Sequence, residues 1–105
     1  MKYLLLLSAD ETTPFVDITA ECVEWAAGLG DRHVTAIGLH PPDSATTIRV
    51  RDGEVLFTDG PFAETKEQMG GLTMIECDST DEARRIAATH PWARYGMIEV
   101  RQIQE

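Results

Sequence analysis

The stretch "TTIRVRDGEVLFTD", residues 46–59, carries the clearest local signal in the chain. Asp52-Gly53 is the pair that a two-residue type I′ turn requires, because both central positions need positive φ. The turn predicts a hairpin that pairs Arg51 with Glu54, Val50 with Val55, Arg49 with Leu56, Ile48 with Phe57 and Thr46 with Asp59. Side chains alternate across a strand, so Ile48, Val50, Val55 and Phe57 share one face, and Asp59 falls at the end of that face. Arg49, Arg51 and Glu54 take the other face.

Working outward, the hairpin sits between two similar halves. Upstream, Lys2–Ser8 is a continuous apolar run of strand length, as suits a covered strand. Pro14–Leu29 reads as a helix, with Phe15, Ile18, Cys22, Trp25, Ala26 and Leu29 on one stripe. Thr13 is its expected N-cap, with Pro14 at the first helical position and Gly28 and Gly30 at the end. His33–Leu39 is a weaker strand, closed by "HPPDSA". Downstream, Gly71–Glu76 is a strand. "STDEARRIAATHP" is a second helix, opened by the Ser79/Glu82 capping-box spacing and ended by His90-Pro91. Tyr95–Ile103 is the last strand.

The resulting order, β–α–β–hairpin–β–α–β, predicts an α+β fold over residues 1–105: a ferredoxin-like βαββαβ sandwich with an extra hairpin and both helices on one sheet face. Several strands look apolar on both sides, so the second face would be an exposed patch. Packing against another copy removes it, and a homodimer built sheet to sheet is expected.

Charge narrows the partners. Nine Lys and Arg stand against eighteen Asp and Glu, a formal charge of −9. Scattered basic residues cannot neutralise a phosphate backbone, so neither nucleic acid nor an anionic membrane is an expected partner. The N-terminal apolar run, Tyr3–Leu7, is too short for a signal peptide and is followed by Asp10 and Glu11, so the protein is expected to be cytoplasmic. Cys22 and Cys77 read as free thiols. No zinc-ligand spacing, P-loop, dinucleotide fingerprint or serine-nucleophile motif occurs, and no metal or cofactor is assigned.

The candidate chemistry gathers around "TDGPFAETKE", residues 58–67. Asp59, at the rim of an apolar face, is a possible general base if desolvation raises its pKa; capping the Gly60-Pro61 turn would lower it instead. Lys66 could hold an anionic substrate or offset the neighbouring acids. Phe62 is an apolar anchor, and Glu64 and Glu67 are polar candidates for ligand contact. Their spacing with Asp59 does not by itself define a cation site. Of the three histidines, His33 and His90 read as structural or solvated, His90 at a helix end that favours a cation. His40, at a strand end, is retained because it could share a cleft with residues 59–67.

The segment "TTIRVRDGEVLFTDGPFAETKEQMGGLTMIECDSTDEA", with its core "TDGPFAETKEQMGG", resembles the YCII-related family in its DGPF-domain branch. "HPWARYGMIEVRQI" is similar to that family's last strand. The resemblance implies a bacterial dimeric α+β barrel that binds a small, cyclic or aromatic organic molecule. Related barrels include muconolactone isomerase-like enzymes and a dehydrochlorinase, so proton transfer or elimination is the implied chemistry. Better-studied members are thought to use a His–Asp pair with the His on the first helix. Here the first helix carries Asp17, Glu21 and Glu24 but no His, so that pair has no counterpart. A non-catalytic dimeric ligand-binding or regulatory module is the alternative.

Overall fold

The computed structural model describes residues 1–60 and 68–105, with Gln68 through its backbone alone. The order is β1 (Lys2–Ala9), α1 (Thr19–Leu29), β2 (His33–Gly38), β3 (Thr46–Arg51), β4 (Glu54–Asp59), β5 (Gln68–Glu76), α2 (Thr80–Ala88) and β6 (Met97–Gln102). Strands β2, β5, β1 and β6 lie in that order in one antiparallel sheet, and β3 and β4 form a separate two-stranded sheet. With the hairpin set aside, this is the ferredoxin-like α+β arrangement.

The β3–β4 register is the one that the turn dictates, from Arg51↔Glu54 to Thr46↔Asp59. Asp52 and Gly53 both take positive φ, 50° and 79°. At the root, Thr47 is buried and its Oγ1 donates to the Gly60 carbonyl at 2.9 Å. Beyond the root, most of the hairpin is exposed among the described residues. Ile48, Val50, Val55 and Phe57 share a face and all are exposed.

Alternation in β1 sets the two faces of the main sheet. Tyr3, Leu5 and Ile75 are fully buried and pack with Ala83, Ile86 and Ala87 of α2; Trp25 and Leu29 of α1 lie against them. Both helices therefore cover one face. The Tyr3 hydroxyl ties to Thr80 Oγ1 at 2.9 Å, anchoring the start of α2. Leu4, Leu6, Leu72 and Met74 point the opposite way, where no described helix lies, and are half-buried.

The two helices behave differently. In α2, Ser79 Oγ accepts from the Glu82 N–H at 3.1 Å, the expected cap, and Arg84 and Arg85 face out. In α1 no residue is fully buried. It starts at Thr19 rather than Pro14, for a local reason. Asp17 Oδ1 accepts from both the N–H and the hydroxyl of Thr19, at 3.0 and 2.7 Å. Asp10 Oδ1 accepts likewise from Thr12, and the Thr13 N–H reaches the Asp10 carbonyl. Side-chain turns thus compete with the helix over residues 10–18. Thr13 belongs to such a turn instead of capping α1, and Phe15, expected on the buried stripe, is fully exposed.

The single chain is extended for its length. Its radius of gyration is 15.6 Å, with extents of 47 × 35 × 18 Å, whereas a compact chain of this size has about 13 Å.

Candidate functional site: a cleft under the first helix

Because α1 is short and shallowly seated, it leaves a cleft of about 1130 Å³ between itself and the β1–β5–β2 part of the sheet. Leu7, Thr73 and Ala36 contribute from the sheet, and Cys22, Trp25 and Ala26 from the helix. A register shift in β1 between Leu7 and Ser8 lies on its wall, and another interrupts β2 between His33 and Thr35. Irregular pairing of this kind re-aims side chains beside sites.

The inner end of the cleft is aromatic. Pro91 disfavours helical backbone in the residue before it, so the chain leaves α2 with His90 extended, at φ −65° and ψ 134°. His90 then caps a 3₁₀ turn over Pro91–Arg94, its Nδ1 accepting from the Trp92 N–H at 3.0 Å. The ring turns inward and is 3% exposed. Trp25 meets it edgewise at 4.5 Å between ring centroids, and meets His33 at 6.3 Å. Trp25 Nε1 donates to Thr89 Oγ1 at 2.9 Å, and the Thr89 hydroxyl in turn donates to the Ile86 carbonyl at 2.7 Å. Trp92 Nε1 donates to the Ser8 carbonyl at 2.8 Å, fixing the second indole on the other wall.

Burial pushes the His90 pKa down to about 4, because desolvation disfavours the imidazolium. At neutral pH the ring is therefore uncharged. Of the two readings that the sequence leaves open for His90, structural or solvated, the buried ring matches the structural one: Pro91 directs it into the protein, away from the water in which the helix dipole would favour a charge. Burial also raises the Cys22 thiol, with Glu21 adding to it, so Cys22 is protonated and a poor nucleophile. Asp17 is held low by the Thr19 bonds. It is the charged residue of the lining among the described residues, which place no Lys or Arg there.

The residues singled out from sequence lie elsewhere or outside the described chain. Asp59 ends β4 opposite Thr46 and is exposed. His40 is exposed ahead of the Pro42–Ser44 turn. Neither lines the cleft, although Gly38 and Leu39, just before His40, do. Phe62, Glu64, Lys66 and Glu67 lie outside the described residues. The Leu39 N–H donates to the Gly70 carbonyl at 3.0 Å, so the chain beyond residue 67 rejoins the sheet at the cleft margin. The aromatic end was not read as a site from sequence. The usable signal was His-Pro-x directly after a helix, which forces the imidazole off the helix axis.

Among the described residues, no three His, Cys, Asp or Glu side chains converge as a metal site, and no helix is long and apolar enough to cross a membrane. Comparison with known proteins adds two findings. An uncharacterized protein of Rhizobium meliloti (strain 1021) is 53% identical over 45 residues, a stretch that is 43% of this chain and 36% of that protein. The chain thus matches about a third of that relative's length. A family model described as the YCII-related domain matches residues 1–105. The chain belongs to the YCII-related family.

Proposed function

We propose that this protein binds a small cyclic or aromatic organic molecule in the cleft beneath α1, and that it does so as a homodimer joined through the open sheet face. The observation that carries the binding reading is the cleft itself. Its roughly 1130 Å³ exceed the few hundred needed for a drug-sized ligand, and its walls are mainly apolar with two fixed indoles. The homodimer rests on Leu4, Leu6, Leu72 and Met74, which form an apolar centre on the sheet face that neither α1 nor α2 covers, and on the exposed apolar face of the hairpin. A two-stranded hairpin is marginal alone, so a covering surface would stabilise it.

Where the bound molecule is also transformed, proton transfer or elimination fits, with Asp59 as base, Lys66 or His40 as electrostatic partner, and Phe62, Glu64 and Glu67 contacting the ligand. The support is the resemblance of residues 58–71 to the DGPF branch and the return of the chain to the cleft margin at Gly70. The exposure of Asp59 and His40 favours a second reading, a non-catalytic dimeric ligand-binding or regulatory module. A thermal-shift screen of uncharged ring compounds tests the binding reading. Hits should be lost in Ala36→Phe, which fills the cleft from β2; hits that survive it would place binding elsewhere. A hit recovered chemically unchanged after incubation supports the module, and one converted by the wild type but not by Asp59→Asn supports the enzyme. Light scattering at micromolar concentration should give twice 11.6 kDa, and Met74→Lys should halve it.

A further inference from the structure

We infer that His90 is the ligand-orienting group of this cleft: its Nε2–H donates to an uncharged acceptor oxygen, so the preferred ligand is a flat ring compound bearing a ketone-type carbonyl. The inference rests on the cleft-binding reading and adds to it the chemical class of the ligand.

Three observations carry it. The first is the tautomer. Nδ1 is already an acceptor, taken by the Trp92 N–H at 3.0 Å, so in the neutral ring the proton sits on Nε2. His90 is thus a donor in its resting state and has no free lone pair with which to act as a base. The second is the state of that donor. Among the described residues no acceptor is paired with Nε2, yet no fully buried side-chain nitrogen among them is left without a partner. Nε2 is therefore not completely sealed, and His90 is among the residues that line the open cleft. An imidazole 3% exposed on the wall of a cavity, with one donor unpaired among the described residues, is poised to receive an acceptor, because leaving a nearly buried polar group unpaired is costly.

The third observation is charge. The described lining holds Asp17 and no Lys or Arg, and the chain carries a formal −9. Among the described lining residues a carboxylate or phosphate ligand would find Asp17 and no cationic Lys or Arg, so these walls favour an uncharged group. A carbonyl oxygen needs only the neutral donor. Trp25, edge-on to the His90 ring at 4.5 Å, and Trp92, pinned to the Ser8 carbonyl, offer fixed ring surfaces against which a planar compound can pack.

A matched pair of probes tests this, 2-acetylnaphthalene and 2-ethylnaphthalene, which differ in the carbonyl oxygen. Both are titrated into ¹⁵N-labelled protein, and the two indole N–H resonances are followed. The ketone should bind about tenfold more tightly than the hydrocarbon, the value of one added hydrogen bond. His90→Asn, whose Oδ1 can still accept the Trp92 N–H but cannot reach as far as Nε2, should bind both probes equally. His90→Gln, whose amide reaches the Nε2 position, should restore part of the difference. Equal binding of both probes by the wild type would overturn the donor role and leave the cleft reading standing. So would a preference that survives in His90→Asn, or an Nε2–H that proves to be held against the Trp25 ring in the complex. Failure of either probe to shift an indole resonance at millimolar concentration would overturn the cleft reading, and this inference with it. If His90→Asn did not fold, the wild-type ratio alone would still decide.

Discussion

His90 should make this protein lose stability between pH 7.5 and pH 5. The folded-state pKa is depressed from 6.5 to about 4. In that window the unfolded chain binds a proton at residue 90 and the folded chain does not. Stability from the neutral buried ring is therefore fully present above 6.5 and is lost as pH falls toward the folded pKa. One pKa unit corresponds to about 1.4 kcal/mol, so the loss is about 2 kcal/mol by pH 5 and about 3 once both states are protonated. For a domain of this size a loss of 2 kcal/mol lowers the urea midpoint by about 1–2 M. Asp10 and Asp17 are also depressed, by bonds from Thr12 and Thr19. Their sign is the same, but their contribution is present above 3.8 and falls away below it, outside the window. The comparison protein is His90→Asn, in which the side-chain oxygen can keep the Trp92 N–H cap and nothing titrates at residue 90. His33 and His40 are common to both proteins and cancel. Urea unfolding at fixed chain concentration, at pH 7.5 and 5.0, should show the drop in the wild type and about 2 kcal/mol less of it in His90→Asn. Parallel profiles in the two proteins would refute the assignment of a buried, neutral His90.

Other perturbations follow from single contacts. A Cβ at Gly96 would meet Trp92 Nε1 and lie 2.5 Å from the Ser8 carbonyl, so Gly96→Ala should break that hydrogen bond and cost about 1–3 kcal/mol; circular-dichroism melting and the Trp92 indole N–H shift read it. Ser79→Ala removes the cap on the Glu82 N–H and should cost about 1 kcal/mol, a fall of about 4–8 °C in Tm. Gly53 stands at φ 79°, so Gly53→Ala should cost about 1 kcal/mol. Its mark is faster amide exchange in β3 and β4, with α2 unchanged.

What was legible in the sequence is what short-range chemistry decides. Asp52-Gly53 leaves one turn type, and the turn leaves one register, so every pairing from Thr46 to Asp59 could be written down. Ser79 and the small apolar positions of α2 define its cap and inner face in the same way. The start of α1 was not legible, because Asp10 and Asp17 hydrogen-bond their own neighbours as strongly as a helix would, and periodicity does not register that competition. Nor was the cleft, since a half-buried helix has the same apolar stripe as a buried one. The burial of His90 was not legible for a related reason: it follows from the direction Pro91 imposes and from Trp25, 65 residues upstream in the chain, not from its position at a helix end.

The two halves of the helix-covered face solve different problems. On the β6 side, α2 packs closely because Ala83 and Ala87 let its backbone approach, and the space is filled. On the β2 side, α1 cannot do the same. Its inward residue at the sheet is Trp25, whose ring stands against His90 and whose Nε1 is held by Thr89 at the end of α2. A bulky side chain tied to the neighbouring helix acts as a spacer, and the turns around Asp10 and Asp17 use up the residues that would have lengthened α1 over the gap. The cleft is therefore built in by named bonds rather than left by poor packing. The His90 donor stands at its closed end, where Trp25 sets its width.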